Sequence, residues 1–140
     1  MQKDLLNLAK SEGIAVTGYS SFGPQSFVEL EWQKAYDTPT LFKHEVVTGI
    51  AKRHGQTPAQ VLLRWATQRG VAVIPKNNHE GRLRENLDVN GFELSAEEVG
   101  RIEGLDRRLR FNDPTDVSIP DCHGECRVGE CVRWLIVLDG

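Results

Sequence analysis

Residues 57–76 read Thr57-Pro58-Ala59-Gln60-Val61-Leu62-Leu63-Arg64-Trp65-Ala66-Thr67-Gln68-Arg69-Gly70-Val71-Ala72-Val73-Ile74-Pro75-Lys76, and this stretch decides the fold class. Its first half predicts a helix with the start written in. Thr57 takes the N-cap, and Pro58 takes the first helical position, where a missing N–H does no harm. Gln60 completes a capping box. Val61, Leu62, Trp65 and Ala66 recur at helical spacing and form the face to be buried. Gly70 stops the helix. Val71–Ile74 is then a short apolar run without alternation, closed by Pro75. That is how a strand buried on both faces of a parallel sheet reads.

The same grammar extends on either side. Ile14–Thr17 is a second unalternated apolar run, preceded by a helix predicted over 4–12 with Leu5, Leu8 and Ala9 on one face. Gly18–Pro24 reads as loop, and residues 24–40 show no strong period. A helix is predicted over 43–54, where Val46, Val47, Ile50 and Ala51 make an i, i+4 stripe before Gly55. Glu80–Asn86 predicts a short helix. Ser95-Ala96-Glu97-Glu98 is another capping box, with Leu94 and Val99 as its hydrophobic staple and Ile102 and Leu105 continuing the apolar face. Strands alternating with helices mean a parallel α/β layout. Two strands make a poor sheet with two open edges, so the text reads as part of a larger α/β fold.

Composition narrows the function classes. The 140 residues carry a net charge of −3, which argues against a nucleic-acid or anionic-membrane binder, since both need a basic face. No stretch approaches the roughly 18–20 uncharged apolar residues of a membrane span. The first residues lack the apolar core of a secretory signal. The cysteine count of three is odd, and all lie between Cys122 and Cys131, so a reduced, cytoplasmic chain is the expectation.

Several motifs are excluded. No G-x-G-x-x-G follows either strand, and there is no P-loop and no H-E-x-x-H. Gly18-Tyr19-Ser20-Ser21-Phe22-Gly23 approaches a nucleophile elbow, but its second glycine comes one residue late and no Asp…His pair follows in order. The more informative feature is the strand end Ile74-Pro75-Lys76 with Asn77, Asn78 and Arg82. Parallel α/β folds bind ligands at that end of the sheet, and a lysine and an arginine beside a helix N-terminus suit a phosphate. The same residues also read as an ordinary solvated loop.

Four separated motifs occurring in order resemble the aldo-keto reductases, and within them the fungal xylose (aldose) reductases. They are Tyr19–Phe27, Thr57–Trp65, Ile74-Pro75-Lys76 with Arg82 and Asn86, and Arg110–Pro114. The resemblance covers roughly residues 2–114 and only the C-terminal part of that family's chain. It implies a TIM (β/α)8 barrel, here incomplete, with 14–17 as the seventh strand and 71–74 as the eighth. It implies NADPH or NADH as cofactor and an aldehyde or aldose as substrate if a complete barrel forms. Tyr19 then matches the tyrosine stacked on the nicotinamide, and Ser20, Ser21, Phe22, Gly23 and Gln25 match the loop over the pyrophosphate. Glu29 matches a glutamate at the adenosine ribose. Lys76, Asn78 and Arg82 match the group around the adenosine 2′-phosphate, and Asn86 matches an asparagine at the adenine. Asn77 departs from the family's serine or threonine and bears on NADPH against NADH preference.

The resemblance also implies an absence. The family's tyrosine acid, its lysine and aspartate partners and its substrate-orienting histidine belong to earlier strands, so no catalytic residue and no turnover is expected of this stretch. His44, His54 and His79 read as helix-surface residues, and Tyr36 lies in unpatterned text. A competing expectation is a non-catalytic piece that binds no cofactor alone or acts only through a partner chain. Residues 1–116 thus form the expected partial reductase domain, and 117–140 a divergent tail. Cys122, His123, Cys126 and Cys131 fall in that tail, but their spacing departs from paired C-x2-C units, and no metal site is expected.

Overall fold

The computed structural model describes residues 3–30 and 36–107. Helix α1 spans Lys3–Ser11 and leads into strand β1, Val16–Gly18. Two 3-10 helices follow, Gly23–Leu30 and Leu41–Lys43. Helices α2, Glu45–His54, and α3, Pro58–Thr67, precede strand β2, Val71–Val73. Helices α4, Glu80–Leu87, and α5, Ala96–Glu103, complete the order. The two strands pair in parallel, with Val16 opposite Val71, Thr17 opposite Ala72 and Gly18 opposite Val73. The α/β reading therefore holds.

The local signals act as written. Thr57 accepts from the Gln60 amide while Gln60 reaches back to the Thr57 N–H at 3.0 Å, and Ser95 and Glu98 do the same for α5. Gly55 ends α2 at φ 63, a left-handed conformation that favours glycine. His44 turns out to cap α2, its Nδ1 accepting from the Val46 amide, so this helix starts at Glu45 rather than at Lys43. The expected loop before residue 24 becomes helical at Gly23, because Pro24 already holds the φ that a helical first turn needs.

The core lies between the helices. Val47, Ile50, Val61 and Leu63 are fully buried, with Phe22, Val89, Leu94 and Ile102 around them. Leu63 was outside the predicted face of α3. It is buried because α3 is covered on more than one side, its Ala66 turning instead toward β1, β2 and Ala9 in a second cluster. Polar pins tie segments far apart in sequence: buried Gln60 donates to the Asp88 carbonyl at 3.2 Å, and Glu103 accepts from Lys3 at 2.8 Å. Gln68 exchanges two hydrogen bonds with the Leu94 backbone, at 2.7 and 2.9 Å.

One expectation fails. The strands were expected to be buried on both faces, but only Val16, Gly18 and Val71 are buried, while Thr17 and Ala72 are exposed. Ile14 and Ile74, expected at the strand ends, lie outside the strands and are 52% and 62% exposed. Among the described residues the helices pack on a single face of the pair, and no second layer covers the other.

Candidate functional site

The parallel register sets Gly18 beside Val73, so the segments leaving β1 and β2 emerge from the same end of the sheet. This is the carboxyl end, where α/β sheets gather ligands. A cleft of about 790 Å³ opens there. The segment after β1 contributes Ser20, Ser21, Phe22 and Gln25 to one wall. The segment after β2, together with α4, contributes Lys76, Asn77, Asn78, Arg82 and Asn86 to the other. Positions more than fifty residues apart in sequence are thus brought to one hollow.

Each wall is held by local chemistry. Ser20 sits at φ 54, a left-handed conformation that costs a non-glycine residue about 1–2 kcal/mol. Its carbonyl accepts from the Gly23 amide at 3.0 Å, and Ser21 Oγ donates to the Gly18 carbonyl, which closes the turn. Gly23 is also left-handed, at φ 59, and a Cβ there would stand 3.5 Å from Leu41 Cδ1. Phe22 is buried with its ring 5.2 Å from that of Phe42, anchoring the turn to the helical core. On the opposite wall, Asn77 Oδ1 accepts from the His79 amide at 2.9 Å, which leaves the Asn77 amide nitrogen as the donor available to the cleft. Arg82 is exposed on α4.

Asn86 is the most telling of these groups. It is 9% exposed, and its Nδ2 has no hydrogen-bond partner among the described residues. A buried donor without a partner costs about 1–3 kcal/mol, and such a group at a cleft wall fits a ligand acceptor. The paired donor and acceptor of an asparagine amide match the edge of an adenine ring.

Not every expected residue reaches the cleft. Tyr19, which follows β1 directly and is half-buried, does not line it, and neither does Gly23, whose part is to turn the backbone. The Glu29 side chain lies outside the described residues, as do Arg110–Pro114, Cys122, His123, Cys126 and Cys131. Among the described residues no three His, Cys, Asp or Glu side chains gather as a metal site, and no helix is long and apolar enough to cross a membrane.

Sequence reading missed Thr57, His79 and Glu85, all of which line the cleft. Helical spacing could have found Glu85, which follows Arg82 by three positions on the same face of α4 as Asn86. His54, read as a surface residue, is in fact half-buried, its Nε2 within 3.0 Å of Glu98 and its ring 5.3 Å from Phe92.

The chain is 59% identical over 118 residues to "Probable NAD(P)H-dependent D-xylose reductase xyl1" of Aspergillus fumigatus, covering 84% of this chain and 38% of that protein. It is 62% identical over 113 residues to "NAD(P)H-dependent D-xylose reductase xyl1" of Aspergillus niger, covering 81% and 35%. A third relative, from Emericella nidulans, is 58% identical over 119 residues, covering 85% and 37%. The chain therefore spans little more than a third of the length of these relatives. The sequence profile described as "Aldo/keto reductase family" matches residues 1–107, which takes in every described element and both walls of the cleft, and the chain belongs to that family.

Proposed function

We propose that the cleft is the cofactor site of an NAD(P)H-dependent aldehyde or aldose reductase, taking NADPH or NADH. In this reading the chain is the C-terminal portion of the family's barrel, with β1 and β2 as its seventh and eighth strands. The observation that carries it is the convergence of Ser20, Ser21, Phe22, Gln25, Lys76, Asn77, Asn78, Arg82 and Asn86 on one cleft at the carboxyl end of a parallel pair. The names of the relatives support the same cofactor pair.

The residues present fit a dinucleotide. Asn86, buried with an unused donor, holds the adenine edge. Lys76 and Arg82 hold the adenosine phosphate, Arg82 as a fork of donors and Lys76 as a point charge. Ser20, Ser21 and Gln25 offer hydroxyl and amide donors along the other wall, toward the pyrophosphate. The chemistry that the cofactor supplies when bound is hydride transfer. Reduction of a carbonyl also needs a proton donor within hydrogen-bond reach of its oxygen. Among the described residues, no tyrosine and no aspartate line the cleft. In this reading the stretch binds and orients the cofactor and turns over no substrate by itself.

Titration of the full chain with NADPH and NADH tests the reading. Each charge-assisted hydrogen bond is worth roughly 1.5–3 kcal/mol, so Arg82→Ala should weaken NADPH about ten- to a hundredfold and NADH less. Asn86→Ala should weaken both alike, since both carry adenine. Equal losses for the two cofactors on Arg82→Ala would refute the phosphate assignment. Aldehyde-dependent oxidation of NADPH at about 1–10³ s⁻¹ would refute the non-catalytic part.

A further inference from the structure

The turn that joins α4 to α5 carries a reactive pair of residues away from the cleft. Of the asparagines in the sequence, Asn90 alone is followed by glycine, and both Asn90 and Gly91 are exposed. Attack of the next backbone nitrogen on an asparagine Cγ closes a five-membered ring, and a following glycine puts no Cβ in its way. The Gly91 N–H makes no hydrogen bond to the described residues, so no bond has to break to bring it to Cγ. Two neighbours suit the charges that ring closure develops. Arg64 Nη1 donates to Asn90 Oδ1 at 3.1 Å and so polarises the carbonyl that must take up negative charge. The Asp88 carboxylate lies beside Gly91, its Oδ1 3.4 Å from where a Cβ on that glycine would stand. A carboxylate there can accept the proton that the attacking nitrogen gives up. Arg64 itself is short of counter-charge. Its side chain is 13% exposed and its Nε is enclosed without a partner. Among the described residues its ion pair is a loose one, 3.7 Å from an exposed Glu93.

We propose that Asn90-Gly91 is a self-modification site, at which the folded turn converts Asn90 to an acidic residue with Arg64 polarising the amide and Asp88 accepting the proton. The Gly91 nitrogen bonds to Asn90 Cγ and passes its proton to Asp88. The Cγ–Nδ2 bond then breaks, Nδ2 takes up that proton and leaves as ammonia, and a cyclic imide remains. Water adds to one of the two imide carbonyls and splits its bond to nitrogen, leaving an aspartyl or an isoaspartyl residue. No electrons are exchanged, and one water is consumed for each ammonia released. The aspartyl product sets a carboxylate against the Arg64 guanidinium, so that a pair of opposite charges replaces a contact with a neutral amide. The isoaspartyl product inserts an extra carbon into a main chain that is pinned on both sides. Val89 and Leu94 are buried, the Asp88 carbonyl accepts from Gln60, and the Leu94 backbone is held by Gln68. The fold therefore favours the aspartyl product.

The experiment ages the full chain in warm neutral buffer, with and without guanidinium chloride. Mass spectrometry follows the peptide that contains Asn90, and an isoaspartyl-specific methyltransferase counts the isoaspartyl form. The folded chain should convert Asn90 about two- to tenfold faster than the denatured chain, the rate equivalent of one net hydrogen bond to the reacting carbonyl. Asp88→Asn changes an exposed side chain, and Arg64→Met keeps the stem while removing the donors; each should bring the folded rate down toward the denatured one. A folded rate at or below the denatured rate would overturn the proposal. So would a folded rate that Asp88→Asn leaves unchanged, whether or not Arg64→Met folds. The aspartyl share should be larger from the folded chain than from the denatured one, and equal shares would overturn the pairing with Arg64.

Discussion

Replacing Glu98 by alanine should lower the stability of the chain by about 3 kcal/mol, and the structure shows where that figure comes from. Only 6% of the Glu98 side chain is exposed, and it serves two structures at once. Its Oε2 accepts from the Ser95 amide at 2.9 Å, which closes the capping box of α5. Its two oxygens also lie 3.0 and 3.1 Å from His54 Nε2, which ties α5 to the end of α2. Arg53 Nη2 adds an ion pair at 3.3 Å from a side chain that is half-exposed. The capping arm is worth about 1 kcal/mol and the buried charge-assisted contact about 1.5–3 kcal/mol. The solvent-screened Arg53 pair contributes a few tenths of a kcal/mol.

Glu98→Gln keeps an oxygen for the Ser95 amide and loses the charge, so it should cost about 1–2 kcal/mol. Urea denaturation followed by near-UV circular dichroism measures both, with an unchanged slope as the check on compactness. The pH dependence follows from the same contacts. Burial by itself raises the Glu98 carboxyl, but the Ser95 amide, the His54 ring and the Arg53 guanidinium outweigh it and hold the group below its usual range. A carboxyl that is lower in the folded chain contributes its full stability above the unfolded value of about 4.3, and that contribution is lost as pH falls through the folded value. The gap between native protein and Glu98→Gln should therefore close in acid, below about pH 4. A Glu98→Ala protein within about 0.5 kcal/mol of native at neutral pH would refute this account of the helix tie.

Two further outcomes are expected. Gly23→Ala should cost about 1–2 kcal/mol, because the position is left-handed; dinucleotide affinity should fall with it, since the turn carries Ser20, Ser21 and Gln25. Leu63→Ala should cost about 2–5 kcal/mol by leaving a hole at a fully buried position, read from the shift in the urea midpoint, whereas Leu87→Ala on the exposed side of α4 should cost less than about 1 kcal/mol.

Helix starts were the most legible part of the sequence, because a cap is a local contract between residues three apart. Thr57 with Gln60 and Ser95 with Glu98 each form the box that the text predicts. The strands were legible in position but not in exposure. An unalternated run such as Val71–Ile74 reports what a strand would bury in a complete sheet, and Thr17 and Ala72 find no layer over them among the described residues. The cleft was legible where a residue type announces its chemistry, as Lys76 and Arg82 do. It was not legible for His79, whose place depends on the backbone turn at Asn77 and on the missing side chain of Gly81. Nor was the His54–Glu98 tie, which joins residues 44 positions apart and depends on how α2 and α5 pack.

The division of the interior into two apolar clusters gives Trp65 a particular use. Among the described residues only Trp65 and Val73 pack against both the helical cluster and the cluster between α1, α3 and the strands. The indole is half-buried, its N–H is enclosed without a partner, and the Arg69 guanidinium lies 4.3 Å from its ring centre. Its emission should therefore register a partial opening in which the strand pair frays while the helices hold, an event to which a helix-weighted signal is blind. Loss of the cationic cover and entry of water would move the spectrum to the red before any ellipticity is lost. The residue at the seam is a built-in fluorophore for the joint between the two clusters.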